Sequence, residues 1–534
     1  MLKPVAIVDL FSGPGGLGEG FSAFIDSAGN HPFSMQVSIE KERSAYETLL
    51  LRSFLRKFES GFPPEYYSFL NGEIMEPNWN VLYLKAWQAA IDETVCMELG
   101  DEQTTQFLNQ RIREIRRNYG DRSILIGGPP CQAYSIAGRS RNAGIVDYDP
   151  LKDKRTFLYR EYVDALAKLK PAMFVMENVK GMLSSKIEGG IFQKIMSDLK
   201  SAAGPNSYRL IPLTPSMSND GSEFDSSPND FMVRTEEYGI PQARHRVIVV
   251  GLRRNIAQGL PVELLPCLRK YQRHVTVNDV IGAMQPLRSG LSRGDCVAAW
   301  REVLQNAIEI VWSNTLLLPA NEQRMIQQSL RRYLSRFPDD LPSNRMGQSS
   351  VKLPKTCPLK LRKWIVDEKL KALPNHETRG HMPADLVRYL YVSVFGESFN
   401  RSPKSSEFPP TLAPFHNNWL SGKFPDRFRV QVAHRPASTI TSHISKDGHY
   451  YIHPDPRQCR SLTVREAARL QTFPDNYLFK GNRTAQYIQV GNAVPPFLAW
   501  QIAGSLSKIF EFLERPHGVA GKNRKRSSIP LEAA

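Results

Sequence analysis

The sequence predicts an α/β protein with a doubly wound, Rossmann-like main domain and a second, smaller, irregular domain. Three observations support this fold class. Continuous apolar runs are typical of strands that are buried on both faces of a parallel sheet. A glycine-rich turn joins the first run to a helical segment and a second run, which makes a βαβ unit. The α/β rhythm then stops in the middle of the chain, between Arg253 and His434.

The predicted strands share continuous apolar character: PVAIVDLF (4–11), MQVSIE (35–40), SILIGG (123–128), AMFVMEN (172–178) and RVIVVGL (246–252). The turn SGPGGLGEG (12–20) follows the first strand, and GFSAFIDSAG (20–29) has helical spacing that ends in glycine. Two segments interrupt this pattern. Residues 80–118 are interpreted as an insertion with helical spacing and a basic end, and the polar residues 214–230 predict a loop.

The domain boundaries follow from these changes of pattern. Residues 1–252 form the predicted α/β domain, and residues 253–434, where prolines, arginines and aromatics mix without periodicity, form the second domain. The α/β domain resumes over 435–513, with a helix at LTVREAARLQTF, where Thr463 and Glu466 predict a capping box, and a last helix near 495–513. Residues 514–534 are expected to be a disordered basic tail.

Composition excludes several classes of protein. No apolar stretch reaches the roughly 18 residues that span a bilayer, and the N-terminus does not resemble a signal peptide. Six widely spaced cysteines indicate neither a disulfide framework nor a zinc knuckle, so an intracellular, cytoplasmic protein without a metal is expected.

The net charge of +16 is unevenly distributed. Residues 1–250 hold 28 basic and 31 acidic side chains, residues 251–434 hold 27 and 15, and residues 435–534 hold 14 and 7. This excess in the middle and the tail suits contact with a polyanion, although charge alone fits a solvated basic surface equally well.

The glycine loop is the first candidate site. Gly13, Gly15 and Gly18 fit GxGxxG after a strand, and Glu40 ends the next strand, where a carboxylate can accept ribose hydroxyls. Taken alone, this pattern fits NAD, FAD or S-adenosylmethionine equally well.

The second candidate site lies where further strands end. GGPPCQ (127–132) brings Cys131 to the carboxyl edge of the sheet, where a thiol is placed as a nucleophile. Glu177 ends another strand and suits proton delivery to a ring nitrogen. Arg244 and Arg246, two apart on an extended segment, would share a face suited to a carbonyl oxygen and a phosphate. The segment QVGNAVPP (489–496) predicts a tight loop before the last helix.

Taken together and in order, these segments resemble the sequence blocks of the DNA (cytosine-5)-methyltransferases. The blocks are DLFSGPGGLGEGF (9–21), GGPPCQAYS (127–135), ENVKG (177–181), QARHRV (242–247), RPASTI (435–440), LTVREAARLQTFPD (462–475) and QVGNAVPP (489–496). The resemblance covers roughly 1–250 and 435–513. It implies an S-adenosylmethionine-dependent methyltransferase domain with a target-recognition domain at 253–434.

The resemblance also implies roles for individual residues. Those expected to line S-adenosylmethionine are Phe11, Ser12, Gly13, Gly15, Leu17, Glu40, Glu73, Pro129, Asn492 and Val494. Cys131 would attack the cytosine, Glu177 would contact its N3/N4 edge, Arg246 would donate to its O2, and Arg244 would support the site. The family has aspartate where this chain has Glu73, so this sequence departs from the family at the adenine contact.

The implied function is methylation of cytosine C5 in a specific double-stranded DNA sequence by a monomer associated with the nucleoid. A restriction endonuclease is the expected functional partner. Three alternatives stay open: a transfer-RNA methyltransferase of the same fold, a catalytically dead DNA-binding homologue, and a Rossmann oxidoreductase. The Cys-Phe-Thr signature of the RNA branch is absent after Leu470-Gln471-Thr472-Phe473. The oxidoreductase leaves PPCQ and ENV without a purpose.

Overall fold

The computed structural model describes residues 4–130, 158–184, 191–214, 227–335, 339–349, 352–414, 419 and 427–514. Its centre is an eight-stranded sheet in which seven strands follow the order β3-β2-β1-β4-β5-β9-β6, while β7 also pairs with β9. The strands are β1 Val5–Leu10, β2 Phe33–Glu40, β3 Thr94–Cys96, β4 Ser123–Gly127, β5 Met173–Val179, β6 Tyr208–Ile211, β7 Met232–Arg234 and β9 His245–Arg253.

The five strands predicted from apolar runs are confirmed as β1, β2, β4, β5 and β9. All six residues of β1 are buried, as expected for a strand covered on both faces. The pairs from β3 to β5 are parallel, whereas β9 runs antiparallel to β5, β6 and β7. The carboxyl ends of β1, β2, β4 and β5 and the start of β9 therefore meet at one edge of the sheet, which we call the site edge.

The first helix differs from its prediction. Helix α1 spans Gly16–Ser22 rather than 20–29. It begins early because Gly15, at φ 95°, turns the chain into the helix directly after the glycine loop.

Residues 80–118, predicted as an insertion, contribute to the sheet itself. Helices α2 (Arg43–Leu55), α3 (Pro64–Leu70) and α4 (Trp79–Leu82) lead into this segment. The segment itself contains α5 (Leu84–Glu93), strand β3 and α6 (Glu102–Tyr119). Strand β3 pairs in parallel with β2, and α6 packs Leu108, Ile112 and Ile115 into the core on one face of the sheet. A three-residue strand is too short to give a readable apolar period, so the sequence does not distinguish it from the helices around it.

The middle region is more regular than expected. Two helices of the α/β domain come before it in the chain, α7 (Leu158–Leu169) and α8 (Ile191–Ser201). The helices of the middle region are α9 Arg254–Gln258, α10 Val277–Ile281, α11 Val297–Thr315, α12 Ala320–Leu334, α13 Leu359–Ile365 and α14 Pro383–Phe399. Helices α11, α12 and α14 enclose their own apolar core, which includes Trp300 and Leu330. Helices α10 and α13 instead pack into the core of the α/β domain. The frequent prolines and arginines of this region hide the helical period.

The last part of the chain returns to the α/β domain through α15 (Val464–Leu470), α16 (Arg483–Asn492) and α17 (Pro496–Leu513). The predicted capping box of Thr463 and Glu466 is confirmed at the start of α15, and the last helix is confirmed as α17. The block 489–496 is not wholly a loop, because α16 extends to Asn492.

The remaining strands form two short parallel pairs outside the central sheet. Strand β8 (Gln242–Ala243) pairs with β12 (Ala437–Ser438), and β10 (Gly290–Leu291) pairs with β11 (Gly380–His381). Within the described residues, no helix is both long and apolar enough to cross a bilayer.

Candidate active site

The glycine loop after β1 is held in a conformation that side chains seldom adopt. Phe11, Gly13 and Gly15 have φ values of 56°, 57° and 95°, all in the left-handed region. The N–H of Ser12 donates to the Ile39 carbonyl at 3.1 Å, and its Oγ donates to the Asp9 carbonyl at 2.9 Å. The loop is therefore tied to both β1 and β2.

Glu40 fixes the other side of this loop. The backbone N–H of Gly13 donates to its Oε2 at 2.8 Å, and that of Glu42 donates to its Oε1 at 2.8 Å. Burial raises the pKa of this carboxyl above its ordinary value, although the backbone hydrogen bonds oppose the shift. A Cβ built on Gly13 would meet no atom within 4 Å, so the loop leaves open space beside the oriented carboxylate.

The block 489–496 closes over the start of α1. A Cβ at Gly16 would collide with the carbonyl oxygen of Val494. Val494 is buried, and Leu17 packs into the same hydrophobic core as Val494. Gln471 Nε2 donates to the carbonyl of Ala493, which holds the block in place. Asn492, the last residue of α16, is exposed.

A second cluster lies at the ends of β4 and β5. A Cβ at Gly128 would lie 3.2 Å from Glu177 Oε2, and Asn178 Nδ2 donates to the carbonyl of Pro129 at 3.2 Å. The described residues end at Pro130 and resume at 158, so Cys131 lies outside them, together with the rest of 131–157. Gly128 and Pro129, shortly before Cys131, nevertheless lie against Glu177 and Asn178.

Arg246 faces this cluster from β9. Its Nε lies 2.8 Å from Glu177 Oε1, and the two side chains are only 12% and 13% exposed. The register explains the pairing, because Val179 is opposite Arg246 across the antiparallel β5 and β9. Burial lowers the pKa of Arg246, while the Glu177 carboxylate opposes that shift.

Arg244 lies in different surroundings from Arg246. It is fully buried and donates to the carbonyls of Ile440 at 2.6 Å and Gly491 at 3.1 Å. Burial is the main cause that lowers its pKa, and the neighbouring charge of Arg246 adds to it. The two arginines have different partners, and Arg244 lies in the break between β8 and β9. Arg244 instead joins three of the sequence blocks.

Glu73 is not brought together with the other predicted residues. Its carboxylate is at the surface, 2.5 Å from Lys371 Nζ, and this lysine lowers its pKa.

The residues that do lie beside Glu40 come directly after β3. The N–H of Met97 donates to the Glu40 carbonyl at 3.1 Å, and Glu98 pairs with Lys41 at 2.9 Å. The strand before them, Thr94–Cys96, has only three residues and is too short to give a readable apolar period, so the sequence does not point to them.

Asp9, to which the sequence motifs assign no role, is a further polar residue beside the glycine loop. It is fully buried at the end of β1, and neither carboxyl oxygen has a hydrogen-bond partner among the described residues. Burial raises its pKa to about 8. A Cβ at Gly18 would lie 3.1 Å from its Oδ2, so the third glycine of the motif makes room for this carboxyl.

The described part of the chain contains no group of three or more His, Cys, Asp or Glu side chains that could hold a metal ion.

Comparison with known proteins finds methyltransferases that are similar to this chain. M.Bpa9945I, a type II methyltransferase of Bacillus paralicheniformis, is 30% identical over 530 residues, which cover 94% of this chain and 98% of that relative. M.ApeKI, a DNA (cytosine-5-)-methyltransferase of Aeropyrum pernix, is 28% identical over 428 residues, or 73% of this chain and 82% of its own.

A solved structure described as a DNA modification methyltransferase encoded within an E. coli prophage has the same fold. It is 17% identical, with a TM-score of 0.51, over 95% of this chain and 99% of its own. The model of the C-5 cytosine-specific DNA methylase family matches residues 85–508. The chain therefore belongs to the C-5 cytosine-specific DNA methylases and is a DNA (cytosine-5-)-methyltransferase of the type II restriction-modification class.

Proposed function

We propose that this enzyme methylates C5 of a flipped-out cytosine in a specific double-stranded DNA sequence, with S-adenosylmethionine as methyl donor and a covalent Cys131–C6 adduct. The observation that carries the proposal is the buried Glu177–Arg246 pair beside the backbone that leads to Cys131. A base can be gripped there between a carboxyl group and a guanidinium.

The glycine loop fits S-adenosylmethionine. Open space beside Gly13, the oriented Glu40 carboxylate and the block around Val494 form a cradle for an adenosyl group, with Glu40 toward the ribose. Phe11, Ser12, Gly15, Leu17, Pro129 and Asn492 would complete it. When bound there, the sulfonium supplies an electrophilic methyl group. On the adenine side we assign the residues after β3, Met97 and Glu98, because Glu73 is engaged by Lys371.

Cytosine C5 is a poor nucleophile, so the chain must activate the ring. In our proposal the Cys131 thiolate forms a bond to C6, and Glu177 holds the N3/N4 edge, where the electron density moves. Arg246 donates to O2 and keeps Glu177 in place. After C5 is methylated, loss of its proton restores the double bond and expels the Cys131 thiolate. Arg244 acts as a positioning residue, because both its terminal nitrogens are bound to carbonyls.

The substrate base must leave the duplex, which costs a few kcal/mol. Phosphate contacts from residues 253–434, with 27 basic and 15 acidic side chains over 251–434, can offset that cost. We assign sequence recognition to this region, and we propose that the enzyme acts as a monomer and protects DNA from a restriction endonuclease. The transfer-RNA alternative is less favoured because the matching family is one of DNA methylases and M.ApeKI is named a DNA (cytosine-5-)-methyltransferase.

Adduct trapping tests the proposal. Fluorine at C5 cannot leave as a cation, so a random duplex pool that contains 5-fluorodeoxycytidine should accumulate a covalent complex when S-adenosylmethionine is present. Cys131→Ser should abolish this complex and most of the kcat, while S-adenosylmethionine affinity stays near that of the wild type. Sequencing the trapped duplexes would give the recognised site. Methylation by Cys131→Ser within tenfold of wild type would show that Cys131 is not the nucleophile, and a wild type that traps RNA but not DNA would favour the RNA alternative.

A further inference from the structure

The edge of the sheet opposite the site edge is built from four neighbouring segments, 116–123, 168–172, 200–209 and 253–254, which we call the basal edge. Their backbones are joined directly. The N–H of Ala172 donates to the Asp121 carbonyl, that of Arg253 to the Ala172 carbonyl and that of Arg254 to the Ser207 carbonyl, each at 2.9 Å. These segments therefore form one continuous surface.

This surface is strongly basic. Its nine cationic residues are Arg116, Arg117, Arg122, Lys168, Lys170, Lys200, Arg209, Arg253 and Arg254. Among the described residues, Asp121 pairs with Arg253, Asp164 with Lys168, and Glu514 with Arg122. The concentration of positive charge is local, because residues 1–250 as a whole hold more acidic than basic side chains.

Stabilisation of helix dipoles accounts for part of this charge. Arg116, Arg117, Lys168 and Lys200 lie at or near the carboxyl ends of α6, α7 and α8, where each cation contributes about 0.3–1 kcal/mol. The arginines at 209, 253 and 254 lie on or after strands instead, and exposed Lys170 lies after α7 in the left-handed region, at φ 49°. The fold therefore does not need all of these cations at one edge.

The C-terminal end of the described chain adds to the same surface. Helix α17 ends beside it, where Glu514 pairs with Arg122 and the Arg122 guanidinium lies 5.5 Å from the centre of the Phe510 ring.

We propose that the basal edge binds the phosphate backbone of a second segment of double-stranded DNA. A strand of five residues such as β4 separates the two edges by about 16 Å, and they face opposite ways, so the duplex at the site edge does not reach the basal edge. The tyrosines of these segments are engaged by the protein: Tyr208 is buried and donates to the Pro171 carbonyl, and Tyr119 packs on the core. Without an aromatic platform for unpaired bases, duplex phosphate is the fitting ligand.

The binding mode follows from this chemistry. Contacts from cations to phosphate carry no sequence information, so the basal edge holds any duplex while the site edge selects its target. One enzyme molecule then bridges two DNA segments, which keeps it close to further sites after it leaves the first one. This inference concerns the face opposite the proposed active site and does not depend on the roles of Cys131 or Glu177.

A bridging assay tests it with the full chain. Enzyme is loaded on a bead-bound duplex of about 40 base pairs, and capture of a second, fluorescent duplex is measured against salt concentration. The variant Arg117→Ala/Lys170→Ala/Lys200→Ala replaces three exposed cations, and the matched control Arg117→Lys/Lys170→Arg/Lys200→Arg keeps their charge. Methylation of genomic DNA in solution shows that each variant is folded and active, and light scattering gives the number of chains per complex.

We expect the alanine variant to capture about tenfold less second duplex, with a salt slope that is lower by about 2 to 3, while the control and the methylation rates stay near wild type. Capture by the alanine variant equal to that of wild type would overturn the proposal. So would bridging found only in complexes with two enzyme chains, or capture of single-stranded RNA in place of the second duplex. Loss of methylation in all the proteins would instead count against the proposed function.

Discussion

Arg244 and Arg246 are separated by one residue, yet they act in different ways. Arg246 pairs with Glu177 at 2.8 Å at the site edge, whereas Arg244 donates to the carbonyls of Ile440 and Gly491. The difference arises because the chain passes from β8 to β9 at Arg244. In the proposed mechanism, then, Glu177 and Arg246 contact the base, and Arg244 holds together the blocks that surround them.

Glu177→Gln keeps the shape of the side chain and removes its acid function. Since acid–base groups contribute about 10²- to 10⁴-fold, kcat should fall by at least about 100-fold, while duplex affinity and S-adenosylmethionine affinity stay close to wild type. Single-turnover methylation and equilibrium binding of both ligands measure this. A variant whose main defect is weaker S-adenosylmethionine binding would show that Glu177 belongs to the cofactor site.

At the scale of elements, α1 and the block 489–496 depend on each other. Gly16 lies against the carbonyl of Val494, and Gly20 lies against Ala499 on α17, so α1 packs closely on the last part of the chain. Both contacts require glycine because a Cβ has no room there. The proposed cofactor cradle is therefore shaped by segments that lie more than 400 residues apart in the sequence.

Gly16→Ala should separate these elements. The added methyl group must push Val494 away, which we expect to cost about 1–3 kcal/mol of unfolding free energy and to weaken S-adenosylmethionine binding. Urea unfolding and isothermal titration measure the two effects. Gly259→Ala is the matched control, since its Cβ would meet only atoms at 3.9 and 4.0 Å and should change stability by less than about 0.5 kcal/mol. Equal effects of the two substitutions would contradict this account of α1.

At the scale of the whole molecule, buried histidines line the contact between residues 253–434 and the final part of the α/β domain. His376 lies 2.9 Å from Thr463 Oγ1, and His453 accepts the N–H of Asp455 at 3.1 Å and lies 3.7 Å from Glu466. Burial lowers the pKa of His376 to about 3 and that of His453 to about 4, with Arg460 adding to the shift of His453. Both imidazoles therefore stay neutral in the folded enzyme near pH 5–6.

This predicts a loss of stability in mild acid. Below pH 6.5 the unfolded chain takes up protons on these histidines while the folded chain does not, so each lowers the unfolding free energy by up to about 1.4 kcal/mol per pH unit down to its folded pKa. Asp9, with its pKa raised to about 8, acts in the opposite direction and offsets part of this slope. Urea unfolding between pH 6.5 and 5 should show a shallower slope for His453→Gln than for wild type; equal slopes would contradict the assignment.

The proposed recognition of a DNA sequence by residues 253–434 also belongs to the scale of the whole molecule. Helices α11, α12 and α14 of this region enclose an apolar core, and the region lies between the blocks of the proposed site, so replacing it should change the target without changing the chemistry. Grafting 253–434 onto a related enzyme of known specificity should move methylation to the site of this enzyme, read by sequencing of methylated DNA. An active chimera that keeps its original site would place recognition elsewhere.

The α/β class, five strands and the capping box of α15 could be predicted from the sequence, because apolar period and turn chemistry are local properties. Contacts between distant segments were needed to place β3 at Thr94–Cys96, to pair Glu73 with Lys371, and to give Arg244 and Arg246 different partners. It also brought nine cations to the basal edge. A strand of three residues has no readable period, and the partners of a long side chain are set by contacts between distant segments, which spacing along the chain does not encode.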